Sequence, residues 1–212
     1  MQVVGVQGHS PTADVLALAA AVLARGELLI YPTDTLYALG CRALDEGAVQ
    51  RLRRVKAREA GKPLPAIAAD EGQARSLWTA WPPDAALLAE RFWPGPLTLV
   101  LEASPGLPTA LTAGARSVAV RVPDLALARA LCAASGPLVS TSANPAGGAA
   151  PSTCAEARVA FEGAVSLALD GGPGSGTAST LLDLTGTEPR LLREGAVPWL
   201  VISALLKRRR PC

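Results

Sequence analysis

Only three lysines occur in the chain, and two of them flank Arg58 in the segment Lys56-Ala57-Arg58-Glu59-Ala60-Gly61-Lys62-Pro63. Such a cluster suits a triphosphate, because a guanidinium fork grips oxygens in pairs while ammonium groups act as compact point charges. A helix C-terminus also favours cations, which accounts for Lys56 or Arg58 singly but less well for the clustering around a glycine. Three other segments place small polar groups or glycines directly after short apolar runs. Tyr31-Pro32-Thr33-Asp34-Thr35-Leu36-Tyr37-Ala38-Leu39-Gly40 offers two hydroxyls and a carboxylate after a proline. Ser140-Thr141-Ser142-Ala143-Asn144 ends in the chain's only asparagine, and Asp170 to Thr180 carries Gly171, Gly172, Gly174 and Gly176. Hydroxyls and amide N–H groups at such exits hold phosphate or carboxylate oxygens, and glycine lets backbone approach a ligand closely. Taken singly, these segments read equally well as a proline turn, an Asx or Ser turn and a connecting loop. No Gly-Lys-Ser/Thr follows the glycine run, so it is not a P-loop, and no dinucleotide fingerprint is present. Ligands in open α/β sheets bind beyond the strand ends, where all four segments can share one cleft.

Several chemistries are excluded or disfavoured. The single histidine, His9, lies near the N-terminus, which removes Ser-His-Asp triads and histidine metal clusters unless His9 itself folds into a site. Cys41, Cys132, Cys154 and Cys212 show neither a CxxC pair nor metal-type spacing, so reduced thiols in a cytoplasmic protein are expected. The net charge of +2 decides nothing about nucleic acid. No apolar run reaches membrane-spanning length, and the N-terminus lacks a signal-peptide pattern.

The elements that must position these segments alternate between strand and helix. Half of the residues are apolar, enough for a substantial core, although aromatics are scarce at 4%. Ser10-Pro11-Thr12-Ala13-Asp14 reads as a helix start with a hydroxyl cap, and Gly26 closes that helix after Arg25. Further helices are predicted from Asp45, from Asp70, over Asp84–Arg91, from Pro123-Asp124 to Ser135-Gly136, over Thr153–Phe161 and from Pro198. The last ends in a solvated basic tail, Lys207 to Arg210. Strands are predicted at Leu28–Tyr31, Leu64–Ala69, Leu97–Leu101, Ser117–Val122, Leu138–Thr141, Val165–Leu169, Ser179–Leu184 and Arg190–Arg193. One α/β or α+β domain over residues 1–212, built on a mixed twisted sheet, is the economical reading.

The same segments carry a resemblance to a known family. Pro32-Thr33-Asp34-Thr35-Leu36-Tyr37-Ala38-Leu39-Gly40 matches a P-T-D/E-T-x-Y-G-L-G pattern, and Lys56-Ala57-Arg58 with Pro63-Leu64 matches K-x-R followed by P-L. Trp93 to Thr98 gives W-P-G-P-L-T, and Ala119 to Pro123 gives A-V-R-x-P. Ser140 to Asn144 with Gly147 gives S-T-S-A-N and its glycine. Asp170-Gly171-Gly172 with Ser179-Thr180, and Leu192 to Gly195 as L-R-x-G, complete the set. In this order the motifs resemble the YrdC/TsaC family of threonylcarbamoyl-AMP synthases. Ala38 replaces the usual glycine, and Ile67 stands where some longer relatives have a histidine.

The resemblance implies a YrdC-like fold, helices flanking a twisted mixed sheet around a positively lined cavity, in the short form without an extra C-terminal domain. It implies that Thr35, Arg121, Ser140 and Ser179 frame L-threonine. Lys56, Arg58, Lys62, Ser117, Ser142, Asn144 and Arg193 would surround ATP, with Lys56 and Arg58 acting in catalysis. The implied substrates are ATP, L-threonine and bicarbonate. Mg2+ would be held through the phosphates rather than by protein side chains, and a downstream tRNA threonylcarbamoyl transferase would take the product. Two rivals remain open: an RNA-binding module of the same fold, with at least weak RNA affinity, and a carbamoyl-transferring paralogue. Few aromatics for base stacking and the lack of an RNA motif weigh against the first. The paralogues come fused to cysteine-rich modules, which this chain lacks.

Overall fold

The computed structural model describes residues 1–6, 11–59 and 61–209. β1 (Gln2–Gly5) precedes α1 (Ala13–Ala24). Thr12 caps α1, its hydroxyl accepting from the Val15 N–H, while His9 and Ser10 lie outside the described residues. Gly26 turns the chain at φ +68° into β2 (Leu29–Pro32). The expected loop at residues 31–40 is half strand, since β3 (Tyr37–Gly40) folds back antiparallel on β2. All four of its residues are buried, so no polar alternation marks it as a strand.

α2 (Glu46–Val55) starts at Asp45, which accepts from the Ala48 N–H at 3.0 Å, and gives way at Lys56 to a loop. Positive φ at Ala57 and Gly61 keeps that loop out of the helix. β4 (Ala66–Ile67) is shorter than the predicted Leu64–Ala69. Pro63 and Pro65 have no N–H to give a ladder. There follow α3 (Glu71–Arg75), α4 (Pro83–Phe92), β5 (Leu97–Glu102), α5 (Thr109–Thr112), β6 (Ser117–Arg121) and α6 (Ala126–Ser135). The chain continues through β7 (Leu138–Val139), β8 (Thr141–Ser142), α7 (Cys154–Val159), β9 (Leu167–Asp170), β10 (Thr180–Asp183), β11 (Arg190–Arg193) and α8 (Trp199–Arg209). β1 and α5 are elements the sequence reading left out. The basic run after Lys207 continues α8 to Arg209, and Arg210 and Cys212 lie outside the described residues.

The α/β class and mixed pairing hold, but the strands divide between two sheets instead of forming one. The first runs β1-β9-β2-β3-β8 and the second β11-β10-β5-β6-β4-β7. The predicted strand Leu138–Thr141 divides with them. β7 pairs with β4 in the second sheet and β8 with β3 in the first. Ser140 is the crossing point, its N–H bonded to Pro65 O at 2.9 Å.

Side-chain alternation then assigns the faces. In the first sheet Leu29, Tyr31, Leu167 and Leu169 pack with Val22 and Leu23 of α1 and Leu127 and Leu131 of α6. Their neighbours Leu28, Ile30, Tyr37, Leu39 and Ala168 join a larger core. Leu97, Leu99 and Leu101 of β5, Val118 and Val120 of β6, and Leu182 of β10 enter the same core with Leu88 of α4 and Ile202 and Leu206 of α8. The alternate positions of the second sheet are left to face a cavity. No helix among the described residues is long and apolar enough to cross a membrane.

Candidate active site

Those alternate positions are Thr98 and Val100 of β5, Ser117, Ala119 and Arg121 of β6, and Leu181 and Asp183 of β10. They line a cavity of about 560 Å3. The β2–β3 turn from Thr33, the crossing segment Ser140–Ser142 and the loop bearing Arg58 and Lys62 complete its walls. Nine of the sequence-selected residues line it: Thr35, Arg58, Lys62, Ser117, Arg121, Ser140, Ser142, Ser179 and Arg193. Lys56 and Asn144 do not.

Lys56 stands behind the wall, only 3% exposed. Its ammonium donates to Ser142 O at 2.5 Å and to Asn144 O at 3.0 Å, with Asn144 Oδ1 at 3.4 Å. Burial, with the nearby Arg58 charge adding to it, draws its pKa down to about 8. Lys56 thus holds the strand exit that carries Ser142. Arg58 donates through Nη2 to Pro63 O at 2.8 Å, and its buried Nε has no partner among the described residues. Burial lowers its pKa and the Arg53 charge adds to the effect. Lys62 pairs with Glu59 at 2.7 Å, but both are exposed and the pair contributes little.

Arg53, in the last turn of α2, ties this loop down. Its guanidinium donates to Glu59 O at 2.8 Å, Lys62 O at 2.9 Å and Ala110 O at 3.2 Å.

At the β2–β3 turn the Thr33 hydroxyl accepts from the Thr35 and Leu36 N–H groups and lies 2.9 Å from Thr35 Oγ1. The turn offers Asp34 and Thr35 together to Arg121. Arg121 Nη1 reaches Asp34 Oδ1 at 2.5 Å and Nη2 reaches Thr35 Oγ1 at 3.2 Å. Ser179 Oγ lies 2.8 Å from Thr98 Oγ1 and accepts from Arg193 Nη2 at 3.2 Å. Burial, then repulsion from Arg121, lowers the Arg193 pKa. Thr98 was missed as a site residue because only the pairing of β5 with β10 brings it to Ser179.

The glycine run does not line the cavity but buttresses it. Tyr37 donates its hydroxyl to Gly172 O at 2.7 Å, and Gly176 N–H donates to Thr35 O at 2.9 Å. A side chain on Gly174 would stand 2.8 Å from Thr35 O, so glycine there permits the docking.

Asp183, the one carboxylate among the described residues of the lining, is held by Arg190 at 2.9 Å and by the Thr185 hydroxyl at 2.7 Å. Among the described residues no group of three His, Cys, Asp or Glu side chains gathers as a metal cage. Cys41, Cys132 and Cys154 are free and buried. Among the described residues the lining combines cations and hydroxyls, with no histidine or thiol. It is an arrangement for positioning anions and polar ligands.

The chain is similar to known proteins in sequence and in fold. The Sua5/YciO/YrdC family model, described as telomere recombination, matches residues 21–195. A threonylcarbamoyl-AMP synthase of Pyrococcus abyssi is 40% identical over 185 residues, 86% of this chain but only 54% of the relative. This chain therefore spans little more than half of that protein. A threonylcarbamoyl-AMP synthase of Chromohalobacter salexigens is 44% identical over 84% of this chain and 96% of its own length. The crystal structure of P. abyssi Sua5 complexed with L-threonine superposes with a TM-score of 0.93 at 37% identity, covering 97% of this chain and 61% of that one.

Proposed function

The chain belongs to the Sua5/YciO/YrdC family, and from that membership we propose that it makes threonylcarbamoyl-AMP and pyrophosphate from L-threonine, bicarbonate or CO2, and ATP. In this reading it is a cytoplasmic nucleotidyltransferase that supplies a tRNA threonylcarbamoyl transferase. One observation carries the proposal: Arg58, Lys62, Arg121 and Arg193 meet the hydroxyls of Thr35, Thr98, Ser140 and Ser179 in a single cavity. Its volume falls within the roughly 300–1,000 Å3 common to small-molecule sites.

The residues suit a reaction in which the substrate supplies the nucleophile. The threonine amine adds to CO2 and loses a proton, giving a carbamate. A carbamate oxygen bonds to the α-phosphorus of ATP as the bond to the β-phosphate oxygen breaks, and the electron pair leaves on pyrophosphate. Arg58 and Lys62 neutralise charge gathering on the leaving group. Arg121 holds the threonine carboxylate with its planar fork. The hydroxyls of Thr35 and Ser179 pair with the threonine side chain, which disfavours amino acids that cannot fill those bonds. Lys56 acts through the Ser142–Asn144 backbone it clamps. Mg2+ arrives with ATP as part of the substrate and is bound through phosphate oxygens.

Pyrophosphate release from ATP and Mg2+ tests the proposal. Release that requires both L-threonine and bicarbonate, and is weak with L-serine, is expected. ATP binding without release under these conditions overturns the threonine assignment and favours a paralogue with another amine.

A further inference from the structure

We infer that Asp34 is a positioning residue that determines which edge of the Arg121 guanidinium meets a substrate carboxylate. The inference rests on the reading above of Arg121 as the carboxylate anchor. Arg121 lines the cavity yet is only 5% exposed, so its orientation is fixed by its partners. Those partners fall into two groups. Nη1 donates to Asp34 Oδ1 at 2.5 Å and to Gly95 O at 3.4 Å, and neither Asp34 nor Gly95 belongs to the cavity lining. Nη2 donates to Thr35 Oγ1 at 3.2 Å, and Thr35 does line the cavity. The Nη1 corner is therefore committed to the wall, while the Nη2 corner borders the space a ligand would occupy.

A carboxylate grips a guanidinium in pairs, either end-on through Nη1 and Nη2 or side-on through Nη2 and Nε. Asp34 and Gly95 occupy Nη1, which the end-on grip requires. Among the described residues no hydrogen bond falls on Nε, so the side-on edge is the one left for substrate. Charge points the same way. Arg193 is close enough for Arg121 to contribute to the lowering of its pKa, and Asp34 is the acid paired with Arg121. Without that carboxylate the two guanidinium groups repel uncompensated, and Nη1 keeps only one long bond to a carbonyl. Asp34 and Thr35, adjacent at one turn, hold the two corners of one group. That explains an acid between two threonines at a position that does not itself touch the cavity.

The test compares L-threonine with L-threonine amide, which lacks the anionic carboxylate, by calorimetric titration of the native protein, Asp34→Ala and Asp34→Asn. The native protein should bind L-threonine on the order of tenfold or more tighter than the amide, as expected for charge-assisted bonds. Asp34→Ala should lose most of this preference and Asp34→Asn, which retains a neutral acceptor, a part of it. ATP affinity should be retained in both, which separates positioning from misfolding. If a variant that still binds ATP discriminates as well as the native protein, the role of Asp34 is overturned. If the native protein binds L-threonine and the amide alike, or neither, the assignment of Arg121 falls first.

Discussion

Arg58 uses one amino group on Pro63 O and keeps a buried Nε unpaired among the described residues, so much of its donor capacity is free for a ligand. A buried donor without a partner costs free energy that an anion would recover. Arg58→Ala should lower pyrophosphate release by two to three orders of magnitude, the usual scale for one electrostatic anchor, and Arg58→Lys should restore little. Steady-state rates with saturating L-threonine check this, and an unchanged rate would remove Arg58 from the machinery. Lys56 makes a different prediction. Its pKa falls from the ordinary 10.5 to about 8, so below pH 8 both folded and unfolded chains carry the proton and the burial penalty is fully present. Between pH 8 and 10.5 the unfolded chain holds a proton that the folded protein has released, so native stability rises with pH. Relative to Lys56→Met, the native protein should gain up to roughly 3 kcal/mol across that window in denaturant titrations. A flat difference would mean that the ammonium is not buried in solution. The sequence made Arg58, Lys62 and the serines and threonines legible because their types announce anion and hydroxyl chemistry. It concealed Asp34 and Arg53, whose bonds run to Arg121 and to backbone carbonyls that only folding brings near.

At the scale of elements, the cavity depends on close approaches that leave no room for a methyl group. A Cβ on Gly195 would collide with Ala178 O and stand 2.6 Å from Ser179 C. Arg193, two residues earlier, donates to Ser179 O at 2.9 Å and 3.1 Å, so the collision would strike the segment that aligns these two site residues. Gly195→Ala should cost about 1–3 kcal/mol in urea unfolding, the range of overpacking, and should lower activity beyond that loss. Gly5→Ala in β1, with nothing within 4 Å of the added atom, is the matched control and should be nearly neutral. Most helices and long strands could be read from caps and periodicity, as at Asp45 for α2 and Arg190–Arg193 for β11. β3 could not, because both of its faces are buried in apolar cores. Nor could the division of residues 138–142 between β7 and β8, since a strand that changes sheets looks continuous in sequence.

For the whole molecule the consequence is mechanical. Floor and ceiling of the cavity belong to different sheets, and the chain crosses between them at Ser140. A ligand touching Thr35 and Ser142 on one side and Arg121 and Ser179 on the other ties the sheets together only in the folded state. Binding should therefore appear as stability. At 100 times its Kd a ligand contributes about 2.7 kcal/mol. For a chain of this size each kcal/mol raises Tm by about 2–4 °C, which gives an expected rise of roughly 5–10 °C. Because L-threonine and the nucleotide are proposed to share one cavity, each should also alter the affinity of the other, and the coupling must be reciprocal. Calorimetric melting with L-threonine, with a non-hydrolysable ATP analogue and Mg2+, and with both would measure it. A combined rise that departs from the sum of the separate shifts is expected. Strictly additive shifts would put the two ligands in independent sites, and the single-cavity mechanism would have to be abandoned even if pyrophosphate release were observed.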